Sequence, residues 1–374
     1  MLTKAKINPY IKKKLHQFYW FQDALRKSIR YKQEIGSVFR NSNSMKKLSE
    51  NSAYVNDSKH FLEKNFNGYK NIKWHLYFAA FNNILKNNYI PFELYYIYIE
   101  PTLNKRQMYR ALADKNSYNN LFEKTNLPDT ILKIVNGEYF DVNNNSIPKT
   151  EVFNQLAKYN GKLVFKPAIM SGAGKNVIID CADIIVEKLK NKNYDRASYI
   201  IQKQIVQHYK MAQFHPNSVN TCRILTARIE SKIVVLSTYF RMGKNNSVVD
   251  NGMAGGIMTG INKKGEITDF AFDFKLNKMY AHPNSGIKFK DFIIPGYNKV
   301  QEFCIQHHKK FLHHTLISWD IAISENEEPI FIEFNLFRQA ISGHQLVNGP
   351  LFGEHTEYLL EKYRRDYQKN FYYD

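Results

Sequence analysis

The sequence predicts an α+β protein in which antiparallel sheets are mixed with helices. From about residue 162 onward, β-like runs such as "TCRILTARIE" and "KIVVLSTYFRM" follow one another along the chain. Strands that are adjacent in sequence favour antiparallel sheets over a doubly wound parallel sheet. Near the N-terminus, apolar residues instead recur at intervals of three and four, as in a helix. Of the 374 residues, 44% are hydrophobic, which is enough for a substantial core.

Residues 1–90 are predicted to form a helical, basic region. Between about residues 8 and 50, lysines and arginines separate a stripe of apolar residues, namely Ile11, Leu15, Phe18, Phe21, Leu25 and Ile29. Such a stripe is more typical of a helix packed on the protein than of a helix on a membrane surface. A second helix, "WHLYFAAFNNILKNN", is predicted to end near Tyr89.

Residues 91–160 are predicted to form a central region. Pro91 sets the next segment extended, and "ELYYIYIEP" is rich in aromatic and β-branched residues, which predicts a strand. A helix is predicted over "LNKRQMYRALADKNSYNNLFEKT". The pair Asn136-Gly137 is typical of a tight turn and joins two short strands within "TILKIVNGEYFD". A short helix, "EVFNQLAKYN", then ends at Gly161.

Two further parts are predicted, residues 161–205 and residues 206–374. The strands of the first are "KLVFKP", "NVIID" and "SYIIQKQI", with the helix "CADIIVEKLKN" between the last two. In the second part, "EITDFAFD" and "EEPIFIEFN" add strands to the two quoted above. Its predicted helices are "YNKVQEFCIQHHKKFLHH" and "GEHTEYLLEKYRRDYQKN".

The formal net charge of +19 leaves two interpretations open. One is a solvated basic surface, and the other is attraction to polyanions such as nucleotide phosphates, nucleic acid or an anionic membrane. No apolar run is long enough to cross a bilayer, and the N-terminus lacks the apolar core of a secretory signal. The three cysteines, Cys181, Cys222 and Cys304, are far apart, which disfavours a disulfide framework or a zinc site. We therefore expect a cytoplasmic protein.

The stretch "KLVFKPAIMSGAGKNVIID" contains a glycine loop but no Walker A motif. Counting back from Gly174, the first glycine of that motif would fall at Ile169, and Asn176 stands where Ser or Thr is required. Gly172 and Gly174 can still present backbone N–H groups to an anion, and Lys166 can place its charge beside the same phosphates. An ordinary hairpin with a flexible tip is the alternative.

A second informative stretch is "ISWDIAISENEEPIFIEFN". Glu333 and Asn335 lie two residues apart, so on a strand their side chains share one face, and a hairpin can bring Asp320 alongside them. Two carboxylates and an amide oxygen suit Mg²⁺. The alternative is an exposed polar face opposite an apolar one. The face opposite Glu333 is predicted to carry Ile330, Ile332 and Phe334, and Phe331 is predicted to share the polar side.

Taken together, Lys166, the glycine loop and the acidic hairpin resemble the ATP-grasp superfamily. More narrowly, "SVNTCRILT", "VVDNGMAGGIMTGI", "AHPNSGIKFKDFIIPGY" and "EFNLFRQAISGHQLVNGPLFG" are similar to the sugar-transfer-associated and teichuronopeptide-synthesis-like ATP-grasp proteins. The likeness covers roughly residues 90 to 362. It implies two α+β lobes that hold ATP between them, with a hairpin closing over the phosphates.

The resemblance also implies roles for individual residues. Those implied to bind the nucleotide are Lys115, Lys166, Ser171, Gly172, Gly174, Gln202, Lys203, Gln204, Ile205, Asn220 and Asn251. Arg223, Arg241 and Lys166 are implied to be catalytic, and the Mg²⁺ ligands are implied to be Asp320, Glu333 and Asn335. Contacts with the substrate are expected at His282, Ser285 and Gln345.

Three functions follow as hypotheses. The first is an ATP- and Mg²⁺-dependent carboxylate–amine ligase that acts through an acylphosphate. By family context it joins a small-molecule or glycan-linked carboxylate, a sugar or an amino acid, to an amine for surface polysaccharide (capsule) biosynthesis. The second is a kinase of a sugar or small molecule on the same fold. The third is a non-enzymatic basic protein that binds polyanions or membranes. No specific nucleic acid is expected as a partner, whereas the basic N-terminal region is a candidate for peripheral contact with the inner face of the membrane.

Overall fold

The computed structural model describes residues 9–105, 108–109, 111–169, 176–191, 194, 197–250, 252 and 255–370, with side chains from residue 22 to residue 367. The N-terminal region is helical, as predicted. Its helices are α1 (Pro9–Asn41), α2 (Asn43–Ser49), α3 (Ser52–Asn65) and α4 (Lys73–Asn82). Ser42 and Asn51 begin α2 and α3, where their side chains accept hydrogen bonds from the backbone of Met45 and Tyr54. The short α4 ends earlier than predicted because Asn83 adopts a left-handed conformation.

Two residues of the predicted apolar stripe on α1 are exposed rather than packed. Leu25 and Ile29 are 50% and 47% exposed, whereas Ala24 and Ile35 on the same helix are buried. The side chains of Ile11, Leu15, Phe18 and Phe21 lie outside the described part of the chain. None of the described helices has both the length and the hydropathy needed to cross a membrane.

The segment after Pro91 is helical, which makes the strand prediction wrong. It runs from α5 (Phe92–Leu94) through a π-helical turn (Tyr95–Ile99) into α6 (Glu100–Leu103). Tyr95, Ile99 and Leu103 recur at intervals of four and pack in one apolar cluster with Leu225 and Leu316. Aromatic and β-branched residues indicated a strand, but tertiary packing of this helical stripe outweighs that weak local preference.

The next predicted helix is also wrong over its described residues. The described part of "LNKRQMYRALADKNSYNNLFEKT" forms turns and two short 3₁₀ segments, Lys115–Asn120 and Lys124–Asn126. Asp114 begins the first of these, and its side chain accepts a hydrogen bond from the backbone N–H of Asn116. The residue of most interest here, Lys115, therefore lies at the start of a tight turn.

A five-stranded antiparallel sheet has the order β2-β1-β5-β3-β4. Its strands are β1 (Thr130–Val135), β2 (Glu138–Phe140), β3 (Lys162–Pro167), β4 (Ile178–Cys181) and β5 (Tyr199–Lys203). The predicted turn between β1 and β2 is confirmed, because Asn136 and Gly137 have φ angles of 52° and 89°. Helices α7 (Lys149–Leu156) and α8 (Ala182–Asn191) pack their apolar residues on this sheet. The predicted boundary between residues 160 and 161 falls inside the sheet, because β1 pairs with β5.

A seven-stranded antiparallel sheet, of order β10-β9-β8-β7-β6-β11-β12, forms the larger lobe. Its strands are β6 (Thr221–Ile229), β7 (Lys232–Met242), β8 (Ile257–Ile261), β9 (Ala271–Asp273), β10 (Lys278–Met279), β11 (Leu316–Ile323) and β12 (Pro329–Asn335). The remaining helices are α9 (Tyr209–Ala212), α10 (Tyr297–His308), α11 (Ile341–Asn348) and α12 (Thr356–Asn370). On one face α10 packs over Trp319 and Phe331, and on the other α11 packs over Tyr239.

A β-bulge in the β11–β12 hairpin changes the predicted faces of β12. Asp320 pairs with Glu333 and Ile321 pairs with Phe331, which leaves Ile332 as the extra residue. Phe331 and Phe334 consequently both enter the apolar core. The prediction that Phe331 shares a face with Glu333 is therefore wrong.

Candidate active site

Two cavities lie against one wall of charged side chains. The larger has a volume of about 510 Å³ and the smaller about 150 Å³. Four charged residues line both, namely Lys115, Arg241, Asp250 and Glu333. Strands of both sheets line the smaller cavity, since Val164 and Lys166 belong to β3 and Glu333 belongs to β12.

The wall is built around a buried network of arginines and aspartates. Arg223 lies opposite Asp320 in the β6–β11 pairing, and its guanidinium donates to both carboxylate oxygens of Asp320. Arg241, on β7, has one terminal nitrogen 3.3 Å from Asp320 and the other 2.9 Å from Asp250. The Asp320 side chain is only 2% exposed. Because each buried charge here has a partner, the network holds both guanidinium groups in fixed positions.

Lys115 forms a further ion pair of the wall, with Glu333. Its Nζ lies 2.9 Å from Glu333 Oε2, and the lysine side chain is only 7% exposed. Burial alone would raise the pKa of Glu333. The charge and hydrogen bond of Lys115, together with the charges of Arg223 and Lys166, outweigh burial and lower that pKa to about 2. Glu333 is therefore a carboxylate over the whole neutral range.

Lys166 has no ion-pair partner among the described residues. Burial is the main cause that lowers its pKa to about 8, and repulsion from Lys115 adds to the effect, while Glu333 opposes it. The backbone N–H of Lys115 also donates to the carbonyl of Ala168 at 3.0 Å, which ties the two lysine-bearing segments together. Lys166 is thus a cation that burial disfavours and that an added anion would stabilise.

Apolar side chains form the rest of the smaller cavity. They are Val164, Val177, Ile179, Ile205, Val219, Val248, Val249 and Ile332. The bulge in β12 explains the presence of Ile332, which lies next to Glu333 in the lining rather than in the core. Gln202, Lys203 and Gln204 complete this edge. An apolar group of a ligand could therefore pack against these side chains beside the charged wall.

Comparison with known proteins gives the family. Residues 96–357 match the family described as "Sugar-transfer associated ATP-grasp". The chain belongs to this ATP-grasp family. No curated protein matches the sequence at a significant level.

Solved structures with similar folds share little sequence with this chain. The L-amino acid ligase from Bacillus licheniformis is 12% identical with a TM-score of 0.38, over 67% of this chain and 48% of that chain. The VanG D-Ala:D-Ser ligase from Enterococcus faecalis is 12% identical with a TM-score of 0.40, over 68% and 61%. The D-alanine–D-alanine ligase from Bacillus anthracis is 12% identical with a TM-score of 0.37, over 69% and 68%. The chain thus spans about half the length of the first of these ligases.

The residues predicted to hold Mg²⁺ are Asp320, Glu333 and Asn335. The described residues contain no cluster of three or more His, Cys, Asp or Glu side chains that could hold a metal. Asn335, however, has a buried side-chain nitrogen without a hydrogen-bond partner, and it lines the larger cavity beside Glu333. Amide oxygen and nitrogen positions are interchangeable in such a site, so Asn335 can present an oxygen to a cation. Glu333 and Asn335 therefore fit Mg²⁺, whereas Asp320 is already bound by two arginines.

Three residues that the resemblance implies to bind the nucleotide, Gln202, Lys203 and Gln204, already form bonds within the protein. Gln202 donates to Thr130 Oγ1 at 3.1 Å, and Lys203 Nζ lies 3.0 Å from Asp129. The backbone N–H of Gln204 donates to Lys162 at 3.1 Å. These bonds fix the edge of the smaller cavity next to Ile205, while the side chain of Lys203 extends to solvent.

Three residues that were predicted to contact the nucleotide or the substrate are buried away from the two cavities, and a fourth, Ser285, is exposed and lines neither of them. Asn220 is fully buried, and its amide nitrogen donates to the carbonyls of Met211 and His215. His282 is 1% exposed, and its two ring nitrogens bond to the backbone of Gly243, on one side, and of Asn284 and Ser285, on the other. Gln345 is fully buried, and its amide group bonds to both the N–H and the carbonyl of Ile90. None of these four side chains lines a described cavity. Those of Asn220, His282 and Gln345 instead join separate segments of the fold through hydrogen bonds.

Four other predicted residues lie outside the described part of the chain. They are Ser171, Gly172, Gly174 and Asn251.

Three residues of the site were missed by sequence reasoning. Asp250 balances Arg241, and Tyr239 and Arg338 line the larger cavity. Asp250 stands in the quoted "VVDNGMAGG" and Arg338 follows the acidic hairpin in "EFNLFRQ". These quoted motifs contained the only signal that could have identified them. Tyr239 gave no such signal, because one aromatic residue in a strand is an ordinary core residue.

Proposed function

We propose that the chain is an ATP- and Mg²⁺-dependent carboxylate–amine ligase. The observation that supports this most strongly is the wall between the two cavities. It brings together four cations, Lys115, Lys166, Arg223 and Arg241, and only three carboxylates, Asp250, Asp320 and Glu333. An excess of positive charge between two adjacent cavities suits the transfer of a phosphoryl group from one bound molecule to another.

The proposed reaction has two steps, formation of an acylphosphate and its conversion to an amide. A carboxylate oxygen of the acid attacks the γ-phosphorus of ATP, the bond to the bridging oxygen breaks, and ADP leaves with an acylphosphate formed. The amine nitrogen then attacks the acyl carbon, the C–O bond breaks, phosphate leaves, and the nitrogen releases one proton to solvent. Neither step requires a nucleophile from the protein, so the chain contributes positioning and charge.

Individual residues have distinct tasks in this proposal. Lys166 binds ATP phosphates from the smaller sheet, and Lys115 binds them from the adjoining 3₁₀ segment. Arg241 and Arg223 offset the negative charge that builds up on the transferred group. A bound Mg²⁺ would neutralise phosphate charge, and Glu333 and Asn335 are the residues best suited to hold it.

A product assay separates the ligase from the kinase. The purified chain is incubated with ATP, Mg²⁺ and a panel of uronic and amino acids, with and without amines, and ADP and products are measured. For a ligase we expect amide product, with ADP released, only when an amine is present. A stable phosphorylated product that needs no amine would support the kinase instead.

The polyanion-binding hypothesis predicts a different outcome. Binding of heparin or nucleic acid would be strong, steeply dependent on salt, and unchanged by Glu333→Ala. We consider it the weaker candidate because polyanions bind to exposed positive charge, which leaves the buried ion pairs of the wall unexplained.

The biological setting is proposed from the family description, which associates the family with sugar transfer. We propose a role in surface polysaccharide biosynthesis, in the cytoplasm, with the basic region of residues 1–50 in contact with the inner membrane face. Exposed Leu25 and Ile29 on α1 are compatible with such contact. Deleting residues 1–50 should then shift the protein out of the membrane fraction of cells. An unchanged distribution would contradict the proposed membrane contact.

A further inference from the structure

The larger cavity contains features that the transfer of phosphate alone does not require. Beyond the shared wall, its lining includes Tyr109, Phe337 and Arg338. Phe337 and Arg338 belong to the loop of residues 336–340, which joins β12 to α11. This loop directly follows Glu333 and Asn335, so it borders the place where the acid must meet ATP.

Arg338 is the charged residue of this lining that forms no ion pair with the described residues. The other charged residues of its lining all form ion pairs, Lys115 with Glu333, Arg223 with Asp320, and Arg241 with Asp250. Arg338 is exposed and has no ion pair among the residues that the structure describes. Its guanidinium carbon lies 5.9 Å from the ring centroid of Phe337, where its nitrogens remain free to bind an anion.

The backbone of the loop is held in an uncommon conformation. Arg338 and Ala340 have φ angles of 59° and 53°, in the left-handed region that non-glycine residues rarely adopt. Such conformations persist only where the surrounding structure enforces them, and they concentrate at ligand-binding sites. The φ angles therefore indicate that the surrounding structure holds the backbone of Arg338 in this conformation.

A buried polar network enforces this conformation. Gln339, between the two left-handed residues, donates its backbone N–H to Glu100 at 3.0 Å and its side-chain amide to the carbonyl of Leu316 at 2.7 Å. Tyr95 donates its hydroxyl to the side chain of Gln339. Asn104 donates to the carbonyl of Leu336 at 2.7 Å. The helical segment that precedes the smaller lobe thus holds the loop from behind, and Arg338 is left on the cavity side.

Aromatic rings form the apolar part of the same lining. Tyr109 and Phe337 are stacked, with their ring centroids 5.8 Å apart and their planes 30° from parallel. Tyr239 and Phe274 add two more aromatic side chains. Rigid aromatic surface next to a few charged groups suits a ligand with a ring that has both apolar and polar faces, as a sugar has.

We propose that the larger cavity binds a sugar acid that carries a second anionic group, with Arg338 binding that second group while the reacting carboxylate faces the shared wall. The assignment of the reacting carboxylate rests on the proposed ligase function. The requirement for a second anion rests on Arg338 alone and can be tested by binding.

The test is calorimetric binding to the full chain saturated with Mg²⁺ and a non-hydrolysable ATP analogue. The probes are glucuronic acid 1-phosphate, which has both anions, and glucuronate and glucose 1-phosphate, which have one each. For Arg338→Gln we expect the dissociation constant of glucuronic acid 1-phosphate to rise roughly 10- to 100-fold, as for loss of a charged hydrogen bond. The dissociation constant for glucuronate should change less than about 3-fold, and Arg338→Lys should restore part of the loss.

Affinity for the ATP analogue and the midpoint of thermal unfolding serve as controls for folding, and both should match the unsubstituted protein. Equal losses for glucuronic acid 1-phosphate and glucuronate, or no binding of the former, would overturn the proposal. Binding of L-glutamate but of none of the sugar acids would overturn the assignment to sugars. Amide formation that Arg338→Gln leaves unchanged would refute this inference and support the ligase. Arg338-dependent binding without any ADP release would support this inference and refute the ligase.

Discussion

The two sheets contribute to the charged wall in opposite ways. The seven-stranded sheet supplies Arg223, Arg241, Asp320 and Glu333, and each of these has an oppositely charged partner. The five-stranded sheet supplies Lys166, for which the described residues include no such partner. Paired charges are fixed before a ligand arrives, whereas the unpaired lysine gains its partner only from the ligand. The larger sheet therefore supplies a preformed network of ion pairs, and the smaller sheet supplies a cation, Lys166, whose partner must come from the ligand.

Breaking a pair in the larger sheet should have the largest effect. Asp320→Asn keeps the shape of the side chain but leaves Arg223 and Arg241 buried without its charge. We expect the free energy of unfolding to fall by about 3–5 kcal/mol, as for removal of one partner of a buried ion pair, measured by urea denaturation. Glu354→Gln is the matched control, because its pair with Lys263 lies on the surface, with side chains 73% and 89% exposed.

The control should unfold like the unsubstituted protein. Equal stability of the Asp320 and Glu354 variants would mean that the larger sheet is not organised around its buried charges.

Removing the unpaired lysine should reduce binding without reducing stability. For Lys166→Met we expect the dissociation constant of an ATP analogue to rise roughly 10- to 100-fold, because a charged contact with phosphate is lost. The free energy of unfolding should stay the same or increase, since burial disfavours this ammonium group. Calorimetric titration and urea denaturation measure the two quantities. Lys162→Met, an exposed lysine on the same strand, should change neither.

A Lys166→Met protein that unfolds more easily and binds ATP normally would reverse the contrast between the sheets.

Acid should reveal the pairing of Glu333. Its pKa is lowered from 4.5 to about 2 in the folded protein, so between these values the unfolded chain binds the proton more readily. The stability that Glu333 contributes is therefore complete above pH 4.5 and lost as the pH falls towards 2. Comparing acid unfolding of the Glu333→Gln variant and the unsubstituted protein measures this contribution. Parallel curves from pH 5 to pH 2 would show that Lys115 does not stabilise the carboxylate.

The smallest expected effect is a proton taken up with ATP. The pKa of Lys166 is lowered to about 8, and a bound phosphate should raise it again, so at pH 9 binding should take up a fraction of one proton. Near pH 7 Lys166 is already charged and its uptake should vanish. Titrations in two buffers of different protonation enthalpy measure the number, and Lys166→Met provides the control. Uptake that persists in this variant would assign the proton to another group.

Several elements were predictable because a few local residues decide them. Asn136 and Gly137 adopt left-handed conformations easily, so the turn between β1 and β2 follows from the two residues themselves. The strands β6, β7, β11 and β12 follow from long runs of apolar and β-branched residues. Lys166 and Glu333 were recognised in combination, and they do line one cavity.

Other elements depend on contacts that no local pattern contains. Tyr95, Ile97 and Ile99 alternate like a strand, yet the segment is helical because both the larger sheet and α12 pack around it. The extra residue at Ile332 follows from the register between β11 and β12, and it decides which neighbours of Glu333 face the cavity.

The sequence by itself determined the α+β class, the order of most strands, and the presence of lysines, arginines and carboxylates suited to phosphate chemistry. Composition and short-range periodicity suffice for these because they reflect backbone preference and the burial of one face. Only the tertiary structure decided which charges are paired. Arg223 meets Asp320 across 97 residues of chain, and Gln339 meets Glu100 across 239. Lys166 and Arg338 are left without ion-pair partners among the described residues, because pairing depends on distances in space that strand register and loop conformation set.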